Sequence, residues 1–122
     1  MKYKSLFFGK WLQLVAIETE RVFLLRGIMP YFVYGDDGKP TDQIAGYVYE
    51  CVNSDSLRWY KIKVAQQKPL MSPVELSQKL EAGEKICIEF LNAEIKAYWN
   101  SFSKCYMDTF RAEDVTLIDS EE

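Results

Sequence analysis

A mainly β fold, with one short helix set between strands, is what the sequence predicts, and three observations carry the prediction. Apolar and polar residues alternate with the two-residue period of a half-buried strand in residues 43–52, 57–65 and 85–91. Aromatic residues make up 15% of the 122 residues (8 Tyr, 7 Phe and 3 Trp), and flat rings suit a pleated surface. Ser72-Pro73-Val74-Glu75 alone carries a strong helix-start signal. The length fits one domain with its own core, and 48% apolar residues exclude a disordered chain.

The elements follow in order. Residues 11–17 read as a strand, ended by the charged Glu18-Thr19-Glu20-Arg21. Residues 22–34 form a second extended segment, where Pro30 marks a bulge or an edge because proline donates no ladder hydrogen bond. Gly35-Asp36-Asp37-Gly38-Lys39-Pro40 is a turn. In residues 43–52, Tyr47, Tyr49 and Cys51 share one face. Asn53-Ser54-Asp55 turns the chain into residues 57–65. There Arg58, Tyr60, Ile62 and Val64 lie on one face, and Leu57, Trp59, Lys61 and Lys63 on the other.

A helix is expected over about residues 73–82, with Ser72 as N-cap, Pro73 in the first position and Glu75 reaching back. Leu76 and Leu80 share a face with Val74 nearby, and Gly83 closes the helix. Residues 85–91, 95–99, 105–110 and 115–118 return to strand, with a turn at Asn100-Ser101. Strands, one helix and strands again suit a small antiparallel barrel of the OB type; an open sheet with a helix on one side is the alternative. The expected organisation is a single domain over residues 1–118 and a short acidic tail, residues 119–122.

Composition narrows the chemistry. The sequence has no histidine, which removes Ser-His-Asp and Cys-His catalysis and histidine-ligated zinc. Cys51, Cys87 and Cys105 are odd in number and widely spaced, as expected of small buried thiols in a reducing cytoplasm rather than a disulfide framework. Paired carboxylates sit only in a turn or near the C-terminal end, and Gly35-Asp36-Asp37-Gly38 lacks the context of a phosphate loop. No enzyme activity, metal or cofactor is therefore expected. The apolar stretch 22–34 is broken by Arg26 and Pro30, so neither a membrane span nor a signal peptide is expected.

The net charge of −3 is unevenly spread. Residues 113–122 carry five acids and no base, and without them 15 basic residues face 13 acidic ones. Residues 56–70 hold Arg58, Lys61, Lys63 and Lys68 with no acid, which leaves a polyanionic ligand open. Within that stretch Trp59, Lys61 and Lys63 share a strand face; Lys96 and Tyr98 repeat the pattern, and Tyr47 and Tyr49 share a face on the preceding strand.

A single-strand binder needs rings on which bases stack and cations beside the phosphates, and alternating strands supply both. The same pattern also fits ordinary sheet packing, in which aromatics fill the pleat and lysines guard edges. The acidic tail reads either as a solvated end or as a segment that competes with DNA or recruits a protein partner.

Short motifs add a resemblance. They are Phe8-Gly9; Asp37-Gly38-Lys39-Pro40-Thr41 leading to Gly46-Tyr47-Val48-Tyr49; Tyr60-Lys61-Ile62-Lys63-Val64; Ile88-Glu89-Phe90-Leu91-Asn92; and Arg111-Ala112-Glu113-Asp114-Val115-Thr116-Leu117. In these the chain resembles small proteins encoded on conjugative and integrative elements of Gram-positive bacteria, a family catalogued as a domain of unknown function. The extended segment over residues 24–34 and the explicit helix depart from that pattern.

The resemblance implies an OB-like, single-stranded DNA-binding fold serving replication or transfer of a mobile element. The expectation is a cytoplasmic, non-enzymatic, largely sequence-independent binder of single-stranded DNA. In it Tyr47, Tyr49, Trp59 and Tyr98 stack bases, while Arg58, Lys61, Lys63 and Lys96 meet phosphates. The competing reading is a protein-interaction module, since Tyr and Trp are also enriched at interface hot spots. Exposed strand edges leave room for a homo-oligomer.

Overall fold

The computed structural model describes residues 12–118; Phe8-Gly9, Trp11 and the acidic tail 119–122 lie outside the described residues. The elements are β1 (Leu12–Gln13), a 3-10 turn (Leu14–Ala16), β2 (Phe23–Tyr34), β3 (Pro40–Asn53), β4 (Trp59–Val64), α1 (Pro73–Glu81), β5 (Cys87–Leu91), β6 (Glu94–Asn100), β7 (Cys105–Ala112) and β8 (Asp114–Ile118). The fold is mainly β, with one mostly antiparallel sheet and one short helix between strands. No helix among the described residues is long and apolar enough to cross a membrane.

Alternation becomes strand where one face has a core to meet. In β4, Tyr60, Ile62 and Val64 are buried, and Trp59, Lys61 and Lys63 are exposed. β2 and β3 form a long hairpin, in which Leu25 pairs with Cys51 and Ile28 with Tyr49. β3 then pairs with β4, placing Tyr49 opposite Ile62 and Cys51 opposite Tyr60. Directly opposite residues share a face, so these pairs form one continuous buried layer. Phe23, Ile88 and Val115 extend it from β2, β5 and β8. Edge-to-face ring contacts tie it together: Phe23–Tyr60 at 5.7 Å, Phe23–Phe90 at 5.4 Å and Tyr60–Phe110 at 5.0 Å.

The helix forms where the sequence places it. The Ser72 hydroxyl accepts from the Glu75 N–H at 3.0 Å, Pro73 occupies the first turn, and Gly83 adopts φ +80° after the last turn. Leu76 is the buried anchor of α1, with Leu80 packed against the core; Val74 is exposed and takes no part.

Several expectations are corrected. Of residues 12–17, only Leu12–Gln13 is strand. After Gln13 one further bond runs from Leu14 N–H to Ala93 O at 2.8 Å, and Ile17 N–H and Glu18 N–H then both turn back to Leu14 O at 2.9 Å. The apolar run Leu14-Val15-Ala16-Ile17 cannot face inward as a whole; only Leu14 is buried, with Val15 and Ile17 about half exposed. Arg58 does not continue the buried face of β4, because Leu57 at φ +62° breaks the strand before it. Pro30 does sit on an edge, since the other side of β2 pairs only at Phe23 and Leu24, with β5. The nearest register irregularity follows directly, between Tyr31 and Phe32, where their partners on β3 step from Gly46 to Ile44.

In hydrogen-bonding order the sheet runs β1-β6-β7-β4-β3-β2-β5-β8 and is open. β4 and β7 run parallel, a pairing the antiparallel expectation did not include. β7 and β8 are separated only by Glu113, whose N–H donates to Leu91 O at 2.9 Å. One residue spans at most ~3.6 Å, so the β8 end of the sheet curls round beside its middle. Residues 96–100 of β6 and 105–109 of β7, clear of the β4 pairing, project together as a two-stranded arm.

Candidate nucleic-acid interface

The outer surface of β3 and β4 faces away from the buried layer. On β4 it presents Trp59, 66% exposed, followed by Lys61 and Lys63. Cross-strand pairing sets Val52 beside Trp59, Glu50 beside Lys61 and Val48 beside Lys63. Lys61 Nζ reaches Glu50 Oε1 at 3.7 Å. Lys63 Nζ lies 5.5 Å from the ring centroid of Tyr31, a cation–π distance.

Gly46 makes that last contact feasible. Tyr31 on β2 lies opposite Gly46 on β3, and its ring crosses the space that a side chain there would fill. A Cβ at Gly46 would stand 2.3 Å from Val64 O and 2.7 Å from the Tyr31 hydroxyl. Burial raises the Tyr31 pKa, which keeps the ring a neutral partner for the lysine.

The parallel ladder extends the surface sideways. Lys63 pairs with Arg111 on β7; Arg111 pairs with Glu94, and Thr109 with Lys96, on β6. Lys63, Lys96 and Arg111 thereby line one groove with Tyr31 and Thr109. Arg111 Nε hydrogen-bonds Glu94 Oε1 at 3.1 Å. Tyr98, two residues beyond Lys96 on the same face, is 37% exposed and lies opposite Met107.

Of the eight residues expected from the sequence, five share this surface: Trp59, Lys61, Lys63, Lys96 and Tyr98. Tyr49 is a correction. It has no exposed surface, its hydroxyl donates to Gln66 Oε1, and it accepts from Leu70 N–H at 2.9 Å. A ring held this way is a core residue, not a stacking platform. Tyr47 lies on the same inward face, half-buried against the core. Arg58 is exposed but sits at the start of the strand, 4.0 Å from the buried Glu18.

Sequence reasoning did not find Tyr31 and Arg111. Gly46 was the available signal for Tyr31, because an isolated glycine in a strand marks a close approach. Arg111 joins only through a long-range parallel pairing that no local pattern announces.

Beneath the surface, burial pushes the Cys51 thiol up to about 12, burial with a contribution from Glu18 does the same for the Tyr60 hydroxyl, and burial also raises Tyr49. These groups keep their protons in the folded chain at a pH where the unfolded chain has lost them. The sign follows: the native state binds more protons, so stability is full below the unfolded values of about 9–10 and falls as pH rises toward 12. Urea midpoints measured at increasing pH should therefore decline above about pH 9; a flat profile through pH 11 would contradict this burial.

No family model, curated protein or solved structure matches the chain.

Proposed function

We propose that the chain is a non-enzymatic, largely sequence-independent single-stranded DNA-binding protein with an OB-type path. The observation that carries the reading is the groove of Lys63, Lys96 and Arg111 continuing along β4 to the exposed Trp59. Cations in a row meet phosphates, and exposed rings beside them accept bases, each stack contributing roughly 1–3 kcal/mol.

The order of the ladders supports the OB part. β2, β3 and β4 form a meander, α1 follows β4, and β5 returns to pair with β2. β7 runs parallel to β4 and continues through Glu113 into β8, the partner of β5. On such a path β3 and β4 are the second and third strands, whose outer face, with the loops flanking it, is where OB folds take oligonucleotides. The β2–β3 turn and the β6–β7 arm are those flanking segments. The resemblance supplies the proposed setting, replication or transfer of a mobile element.

A second reading, docking of a protein partner, draws on the tip of the arm, where Phe102 is 98% exposed with Trp99 and Tyr106 nearby. Fluorescence anisotropy of a labelled oligothymidylate at low salt separates the two. Micromolar or tighter binding, weakened about tenfold by Trp59→Ala, is the expected result. Absence of binding at tens of micromolar protein overturns the DNA reading.

A further inference from the structure

The cations of the proposed face are held in two different ways. Lys63 lies over the Tyr31 ring and has no carboxylate within ion-pair distance among the described residues. Lys61 and Arg111, flanking it on β4 and β7, each have a cross-strand glutamate partner: Glu50 at 3.7 Å and Glu94 at 3.1 Å.

The carboxylates are the better anchored members of these pairs. Glu50 and Glu94 side chains are 29% and 26% exposed, against 70% for Lys61 and 49% for Arg111. Glu50 also lies across Gly27, where a Cβ would meet its Oε2 at 3.1 Å, so the missing side chain gives the carboxylate its berth. The cations are the ends with room to swing outward. Ion pairs this exposed contribute only about 0–1 kcal/mol, so a phosphate, which offers the same charge and more acceptor oxygens, competes with them readily.

We infer that Glu50 and Glu94 are displaceable masks on the phosphate-binding face: Lys63 takes the first phosphate, and Lys61 and Arg111 exchange their glutamates for the phosphates on either side. Glu50 and Glu94 then set affinity, holding it below what the basic groove alone would give and allowing release. This rests on the nucleic-acid reading of the face, and the test separates the two.

Oligothymidylate binding is measured at low and high salt for the wild type, Glu50→Gln, Glu94→Gln, the double variant and Glu81→Gln. Glu81, at the end of α1, makes the same change in net charge away from the face. Glutamine keeps the size of the mask and removes its charge. Each single variant is expected to tighten binding about threefold at low salt and the double about tenfold, with the gain shrinking at high salt. Glu81→Gln is expected to change affinity less than about 1.5-fold, as a distant exposed charge is largely screened. Wild-type binding with Glu50→Gln and Glu94→Gln no tighter than Glu81→Gln overturns the masks and leaves the DNA reading standing. Failure of the wild type and every variant to bind overturns the DNA reading, and the masks with it.

Discussion

Replacing Lys63, Lys96 and Arg111 together by alanine is expected to weaken oligothymidylate binding about a hundredfold at low salt, with the fold intact. A hydrogen bond to a charged group contributes roughly 1.5–3 kcal/mol when formed, and exposed neighbours share rather than add. The combined loss is set at about 3 kcal/mol, or two decades in the dissociation constant. The fold should tolerate the change, because the three side chains line an open groove and the Arg111–Glu94 ion pair is at the surface. Anisotropy titrations give the affinity and circular dichroism the fold. A loss smaller than about fivefold would place the phosphates elsewhere.

The second large effect concerns stability. Tyr49→Ala is expected to lower the unfolding free energy by about 3–5 kcal/mol, as for other large buried rings. Tyr49 is fully buried, its ring meets Phe90 edge to face at 6.3 Å, and its hydroxyl bridges Gln66 and Leu70. Tyr49→Phe keeps the ring and strands the Leu70 N–H, so about 1–2 kcal/mol is expected. Urea denaturation measures both. Oligonucleotide affinity of Tyr49→Phe should equal that of the wild type. A stable Tyr49→Ala that had lost binding would return this residue to the interface.

How far the sequence reached depends on the range of the interactions. The helix was legible because every signal is local: Ser72, Pro73, Glu75 and Gly83 act within their own turns. The faces of β4 were legible because lysines mark the wet side, leaving Tyr60, Ile62 and Val64 for the core.

β3 carries only one such marker, Glu50, set between the apolar Val48 and Val52. Tyr47, Tyr49 and Cys51 alternate with Val48, Glu50 and Val52, and period alone does not say which set faces water. The hairpin register decides it: Tyr49 lies opposite Ile62 and Cys51 opposite Tyr60, so the inward face of β4 makes these β3 residues inward too. The first segment misled because four apolar residues in a row resemble a buried strand, although only Leu14 finds a core. Arg111 and Tyr31 were out of reach for different reasons. Arg111 depends on the parallel β4–β7 ladder, and Tyr31 on a ring crossing Gly46 from the next strand.

The salt dependence of oligothymidylate binding tests the central claim most directly, because phosphate contacts release counterions and aromatic or protein-docking contacts do not. Single-stranded DNA loses affinity with a log–log slope of about −0.7 per phosphate neutralised. Lys61, Lys63, Lys96 and Arg111 engaged together predict a wild-type slope near −3, falling to about −1 when Lys63, Lys96 and Arg111 are alanine. A wild-type slope near zero, or one that the three substitutions leave unchanged, would contradict a phosphate-binding role for this groove.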